Sequence, residues 1–156
     1  ANASELLEET MANLPEILTD EAKKEQVVDA CCELIDQEVA DKGGISGLAI
    51  KAGYGAVKGV KPGFVRKVVF DLLPEFAKEL DPLYGEAKAA GKPVVAHFEA
   101  NAGRAADALL KITDSKAARS SSGVVKGTYE KLRGSAKKNV EAAIPRLAKL
   151  IERFGG

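Results

Sequence analysis

Val65-Arg66-Lys67-Val68-Val69-Phe70-Asp71-Leu72-Leu73-Pro74-Glu75-Phe76-Ala77-Lys78-Glu79-Leu80 is the stretch on which the fold turns. Val65, Val68, Val69, Leu72, Leu73, Phe76 and Leu80 recur at steps of three and four, which puts them on one face of a helix. A half-buried strand would alternate every second residue, and no alternation of useful length occurs here or elsewhere in the chain. The stripe is wide enough for a central helix. Asp81-Pro82 then reads as a restart, because proline is tolerated at the first position of a helix but not in its interior.

The same period extends in both directions. Upstream, Val27, Cys31, Leu34, Ile35 and Val39 form a stripe, with Glu33, Asp36 and Asp41 off it. Thr19 or Asp20 is the expected N-cap, and Gly43-Gly44 the expected end. Downstream, Lys92-Pro93 opens a helix carrying Val94, Val95, Phe98, Ala102, Ala105, Ala106, Leu109 and Leu110. Thr113 to Gly123, which includes Ser120-Ser121-Ser122, reads as a loop or a weak helix. Val140, Ala143, Ile144, Leu147, Leu150, Ile151 and Phe154 mark a last helix. The expected fold class is all-α: one helical domain over residues 4–156, a bundle of about seven helices.

Composition agrees with that class. The chain has 156 residues, 46% hydrophobic and 29% charged, so it can bury a core and is not a disordered polymer. With 5% aromatics and no Trp, the core is expected to be aliphatic. The longest weakly polar stretch, Gly43 to Val60, is interrupted by Lys51 and Lys58 and falls short of the ~20 apolar residues of a membrane span. Ala1 to Thr10 carries Glu5, Glu8 and Glu9 and lacks the basic and apolar regions of a secretory signal, so a cytoplasmic location is expected. Cys31 and Cys32 are adjacent and point about 100° apart on a helix, which precludes a relaxed disulfide between them. They are expected to pack as small hydrophobes in a reducing compartment.

A weak internal repeat relates residues 53–85 to 123–156. Val69, Pro74, Ala77, Lys78 and Gly85 recur as Val140, Pro145, Ala148, Lys149 and Gly156, and Gly55 to Gly59 resembles Gly123 to Gly127. If it reflects duplication, Pro74 and Pro145 sit at equivalent bends of two pseudo-repeated units; otherwise each proline begins a new helix.

The glycine-rich segment from Gly43 to Gly63 places Ala52, Ala56, Gly59 and Gly63 on a ridge of small residues, where another backbone can approach closely. Tight packing inside the bundle is the first expectation, and a yielding wall for a ligand, lipid surface or partner helix the second. Gly53 to Gly59 lacks the preceding strand that a dinucleotide fingerprint needs. Gly123 to Thr128 lacks the Gly-Lys-Ser/Thr ending of a phosphate loop. No cofactor and no metal site is expected.

His97 is the single histidine, with Asn101 and Arg104 one and two turns further along its flank. These three form the candidate polar site. One histidine with no local partner does not make a metal cluster or a catalytic triad, so no catalytic residue is assigned.

Charge is balanced overall and unevenly placed. Through Gly43 twelve acids face three bases, a net of −9, which leaves +9 for the remainder. Self-complementarity within the chain is one explanation, pairing between chains another. Lys51, Lys58, Lys61, Arg119, Lys126 and Lys131 are the candidate interaction surface. The expected function is non-enzymatic association with a second copy or a protein partner. The alternatives are a small-molecule or lipid-binding bundle, and peripheral attachment to an acidic membrane or nucleic acid. The last is weakened for single strands by the lack of aromatic platforms beside Tyr129.

Overall fold

The computed structural model describes residues 13–155. Residues 4–12 and Gly156 of the expected domain, and the N-terminal stretch through Thr10, lie outside the described residues. Seven helices and no strand occur within them: α1 Leu14–Leu18, α2 Lys24–Asp41, α3 Gly44–Lys58, α4 Phe64–Ala89, α5 Val94–Ala100, α6 Ala102–Ala118 and α7 Gly123–Gly155. The chain forms a single all-α bundle.

The central stripe lies on α4, which buries Val69, Leu72, Leu73, Ala77 and Leu80. Its burial continues through Leu83, Tyr84 and Ala87, beyond the expected restart. Pro74 and Pro82 both lie inside this single helix, which corrects the reading of Asp81-Pro82 as a new start. A proline forfeits the bond to the carbonyl four residues back, here Phe70 and Lys78. Both prolines are exposed, so the freed carbonyls fall on the side that meets water.

Asp81 has a different use. Its Oδ1 accepts the backbone N–H of Leu14 at 2.7 Å and satisfies an orphan donor at the start of α1. Asn13 caps the same end through Glu16 N, and fully buried Leu14 and nearly buried Leu18 plug α1 into the core.

Leu14, Val27, Val28, Phe98, Ile144 and Ile151 are sealed from solvent, with Leu80, Leu83 and Tyr84 almost so. Each such side chain contributes roughly 1.5–3 kcal/mol of transfer free energy. Tyr84 also donates to the carbonyl of Gly155 at 3.0 Å, which ties the end of α7 to α4. Cys31 and Cys32 are free and pack at the edge of this core. Burial pushes the Cys31 thiol up to about 12, which removes its nucleophilic form at neutral pH.

Several boundaries differ from expectation. Thr19 closes α1 rather than capping α2, while Lys23 N and Lys24 N donate to the Asp20 carbonyl in the intervening turn. The expected helix from Pro93 to Leu110 is broken at Asn101, whose φ of −122° and ψ of 30° leave the helical region. Asn101 Nδ2 donates to the His97 carbonyl at 2.8 Å and satisfies an acceptor at that break. Thr113 to Ala118 belongs to α6, so only Arg119 to Ser122 remain as a loop. Ser122 Oγ accepts from Val125 N at 3.3 Å and starts α7 in the manner of an N-cap. At the end of α4, Gly91 adopts φ +64°, and Lys92 N reaches back to the Ala87 carbonyl at 2.9 Å in a Schellman closure.

Residues 53–85 comprise the end of α3, a turn and most of α4, whereas 123–155 form one continuous helix. Pro74 and Pro145 both lie within helices rather than beginning them.

Candidate functional site

Three features bear on function: the His97 cluster, the distribution of charge, and the exposed face of α3.

His97 and Arg104 are brought together by Glu86 on α4, while Asn101 bonds the His97 carbonyl instead. His97 Nε2 lies 3.0 Å from Glu86 Oε1. Arg104 grips the same carboxylate in two-pronged fashion, with Nη1 to Oε1 at 2.9 Å and Nη2 to Oε2 at 2.7 Å. These bonds hold the Glu86 carboxyl down at about 2, first through Arg104 and then through His97. Both carboxylate oxygens are engaged by α5 and α6, so the arrangement clamps three helices and offers no unengaged base. Asn101 shapes the break that turns α6 toward Glu86.

A pH dependence follows. A carboxyl held below its ordinary value of 4.5 stabilises the folded state fully above that value and loses its effect as pH falls toward 2. Glu86→Gln is therefore expected to lower the urea midpoint at neutral pH. The gap from the parent protein should close between pH 4.5 and 2. A gap that persists unchanged at pH 2 would refute the clamp.

Among the described residues, five acids of α2 are neutralised within the chain. Arg66 on α4 bonds Glu25 and Asp29 of α2. Arg146 on α7 bonds Glu38 at 2.9 Å and also Asp41. Lys58 lies 3.9 Å from Asp36, which also accepts from the Tyr54 hydroxyl at 2.6 Å. Acids of α2 thus find bases on α3, α4 and α7.

The basic region is only partly matched. Arg133 on α7 bonds Asp114 on α6 through both Nε and Nη2, and the Tyr129 hydroxyl joins the same carboxylate. Lys137 lies 3.2 Å from Asp107. Arg119 Nε donates to the Ser115 carbonyl at the end of α6. Lys61 sits 6.0 Å from the Phe64 ring. Lys51, Lys61, Lys126 and Lys131 are exposed and make no ion pair with a described residue. The six candidate surface residues therefore divide: Lys58 and Arg119 have partners in the fold, while the other four project positive charge.

The third feature inverts an expectation. Ala52, Ala56, Gly59 and Gly63 are exposed, so the ridge of small residues is not a packing seam of the bundle. Close approach occurs through other glycines. A Cβ on Gly53 would stand 2.9 Å from Thr128 Cγ2 and 3.1 Å from Leu132 Cδ1, which marks where α3 packs on α7. A Cβ on Gly47 would stand 2.6 Å from the carbonyl carbon of Lys42. Gly47 is the one buried residue of α3. Its opposite side leaves Ile45 89% and Leu48 68% exposed. The sequence hints at this through the period of small residues, but the period alone does not say which way a face turns.

An open groove of ≈ 260 Å³ runs between α2 and α7, floored by Leu34 and Leu150 and rimmed by Glu33, Arg146, Lys149 and Arg153. It lies away from Gly53 and Gly59, so α3 does not wall it. None of the described helices is long and apolar enough to cross a membrane.

A family model described as a family of unknown function (DUF6918) matches residues 14–155. No curated protein and no solved structure matches the chain.

Proposed function

The chain belongs to the DUF6918 family, and from its own residues we propose that it acts by association rather than by catalysis, with the exposed face of α3 as the docking surface. The observation that carries this reading is the exposure of Ile45 and Leu48 on a helix that buries little besides Gly47. Positions 45, 48, 49, 52 and 56 follow steps of three and four, so Ile45, Leu48, Ala49, Ala52 and Ala56 share one side of α3. A helix apolar on the sides that face both protein and solvent is ordinarily buried. Contiguous apolar surface of this kind marks a contact site.

The His97 cluster supports the non-catalytic half of the reading, because its carboxylate is already committed to Arg104 and His97. The ion pairs of α2 leave it little charge to offer a partner: five of its six acids are matched inside the chain, with Glu33 the exception among described residues.

A photo-crosslinking side chain in place of Leu48 is expected to yield adducts in cells that make the protein, and Ile45→Ser should abolish them. The same group at Lys78, an exposed position on α4, should yield none. Absence of adducts at position 48, or equal labelling at both positions, would sink the reading.

A further inference from the structure

We infer that the surface α3 docks on is an anionic lipid surface. The inference rests on the docking role proposed for α3 and names the partner. Charge is its first support. Between Asp41 and Asp71 the chain contains no Asp or Glu, while Lys42, Lys51, Lys58, Lys61, Arg66 and Lys67 fall in that interval. Lys42, Lys58, Arg66 and Lys67 are engaged by carboxylates of the fold. Lys51 and Lys61 are not: Lys51 follows Leu48 by one turn of α3, and Lys61 is exposed in the turn after the helix.

The helix against which α3 packs adds to this. Gly53 meets α7 at Thr128 and Leu132, and Lys126 and Lys131 lie beside those contacts along α7, both exposed and without an ion pair to a described residue. The exposed aliphatic side chains thus share α3 with Lys51 and with no carboxylate, and the helix it packs against adds Lys126 and Lys131, offset over that stretch by Glu130 alone. Aliphatic side chains seated at the acyl boundary, with lysines reaching back to headgroup phosphates, is the chemistry of interfacial helices.

A second copy fits this face less well. Two α3 helices laid together through this face would bring the two copies of Lys51 to its edge, and neither helix carries an acid to offset them. Hydrogen-bonding groups that a specific protein partner would use are also sparse. Ser46 is the one hydroxyl among the side chains from Gly44 to Gly53.

The test is co-flotation of the full chain with vesicles of phosphatidylcholine alone and of phosphatidylcholine mixed with phosphatidylserine, at low and at raised salt. Binding is expected only with phosphatidylserine present, and it should weaken with salt as screening shortens the reach of the lysines. Ile45→Ser with Leu48→Ser should lower partitioning roughly tenfold or more. Lys51→Gln and Lys61→Gln should each lower it about fivefold. Circular dichroism should report an unchanged fold, since all four side chains are exposed. No binding to phosphatidylserine vesicles at low salt, or binding indifferent to both pairs of substitutions, overturns the lipid assignment. If adducts at position 48 are then protein, or sedimentation reports self-association abolished by Leu48→Ser, the docking role stands with another occupant. If neither is seen, both readings fall.

Discussion

Phe98→Ala is expected to cost about 3–5 kcal/mol of unfolding free energy, the upper range for truncation of a single core side chain. Phe98 is fully sealed, so its removal forfeits transfer free energy and leaves a cavity as well. The site has little freedom to collapse. Phe98 lies on α5, which has seven residues and is bounded by Pro93 and the break at Asn101. A helix this short owes its existence to packing rather than to propensity. Glu86, held by His97 and Arg104 on either side of that break, resists a compensating shift of the backbone. A domain of this size has on the order of 5–15 kcal/mol to lose, so urea denaturation followed by circular dichroism should show a sharply lowered midpoint. Phe98→Leu, which keeps most of the volume, should cost far less. A change below about 1 kcal/mol for the alanine variant would mean that Phe98 does not fill the core as described.

Leu14→Ala is expected to cost about 2–5 kcal/mol, and its second signature is local. The five residues of α1 cannot form a helix alone, so they are ordered by Leu14 and Leu18 in the core and by the Asp81 carboxylate on the N–H of Leu14. Truncating the plug should let α1 open while α4 and α7 remain folded. Hydrogen exchange should then accelerate at Ile17 and Thr19 more than at Ala77 or Ala148. If α1 opens before global unfolding, the loss read by urea will fall at the low end of the range, because part of the cost is relieved by local release. Uniform acceleration across all helices would instead make α1 an integral part of a single cooperative unit.

The helical class and the central stripe are legible in the sequence because burial on α4, α6 and α7 repeats at the helical period. Val69, Leu72, Leu73 and Leu80 are buried as their spacing implies. The prolines mislead for a physical reason. An interior proline costs ~3 kcal/mol, which in isolation favours a break, yet strong burial on the opposite side of α4 holds the helix through both positions. The break at Asn101 runs the other way. Its flanks, Phe98 and Ala105, keep an apolar register across it, so the stripe alone suggests continuity.

The polar site is half legible. His97, Asn101 and Arg104 group by spacing along one segment. Glu86, which joins His97 to Arg104, stands on another helix and carries no local mark of its role. The same limit applies to α3. Its small residues are visible as a periodic set, but whether that side faces α7 or water depends on Gly53 meeting Thr128 and Leu132, a contact set by tertiary packing.

The longest helix, α7, packs against α1, α2, α3, α5 and α6, and its Gly155 carbonyl receives the Tyr84 hydroxyl of α4. On the ribosome it emerges after all of them. Until α7 clears the exit tunnel, the earlier helices can pack on one another around α4 but leave the faces that meet α7 unmatched. Synthesis at ≈ 5–20 residues per second makes that a delay of seconds, during which the core is incomplete.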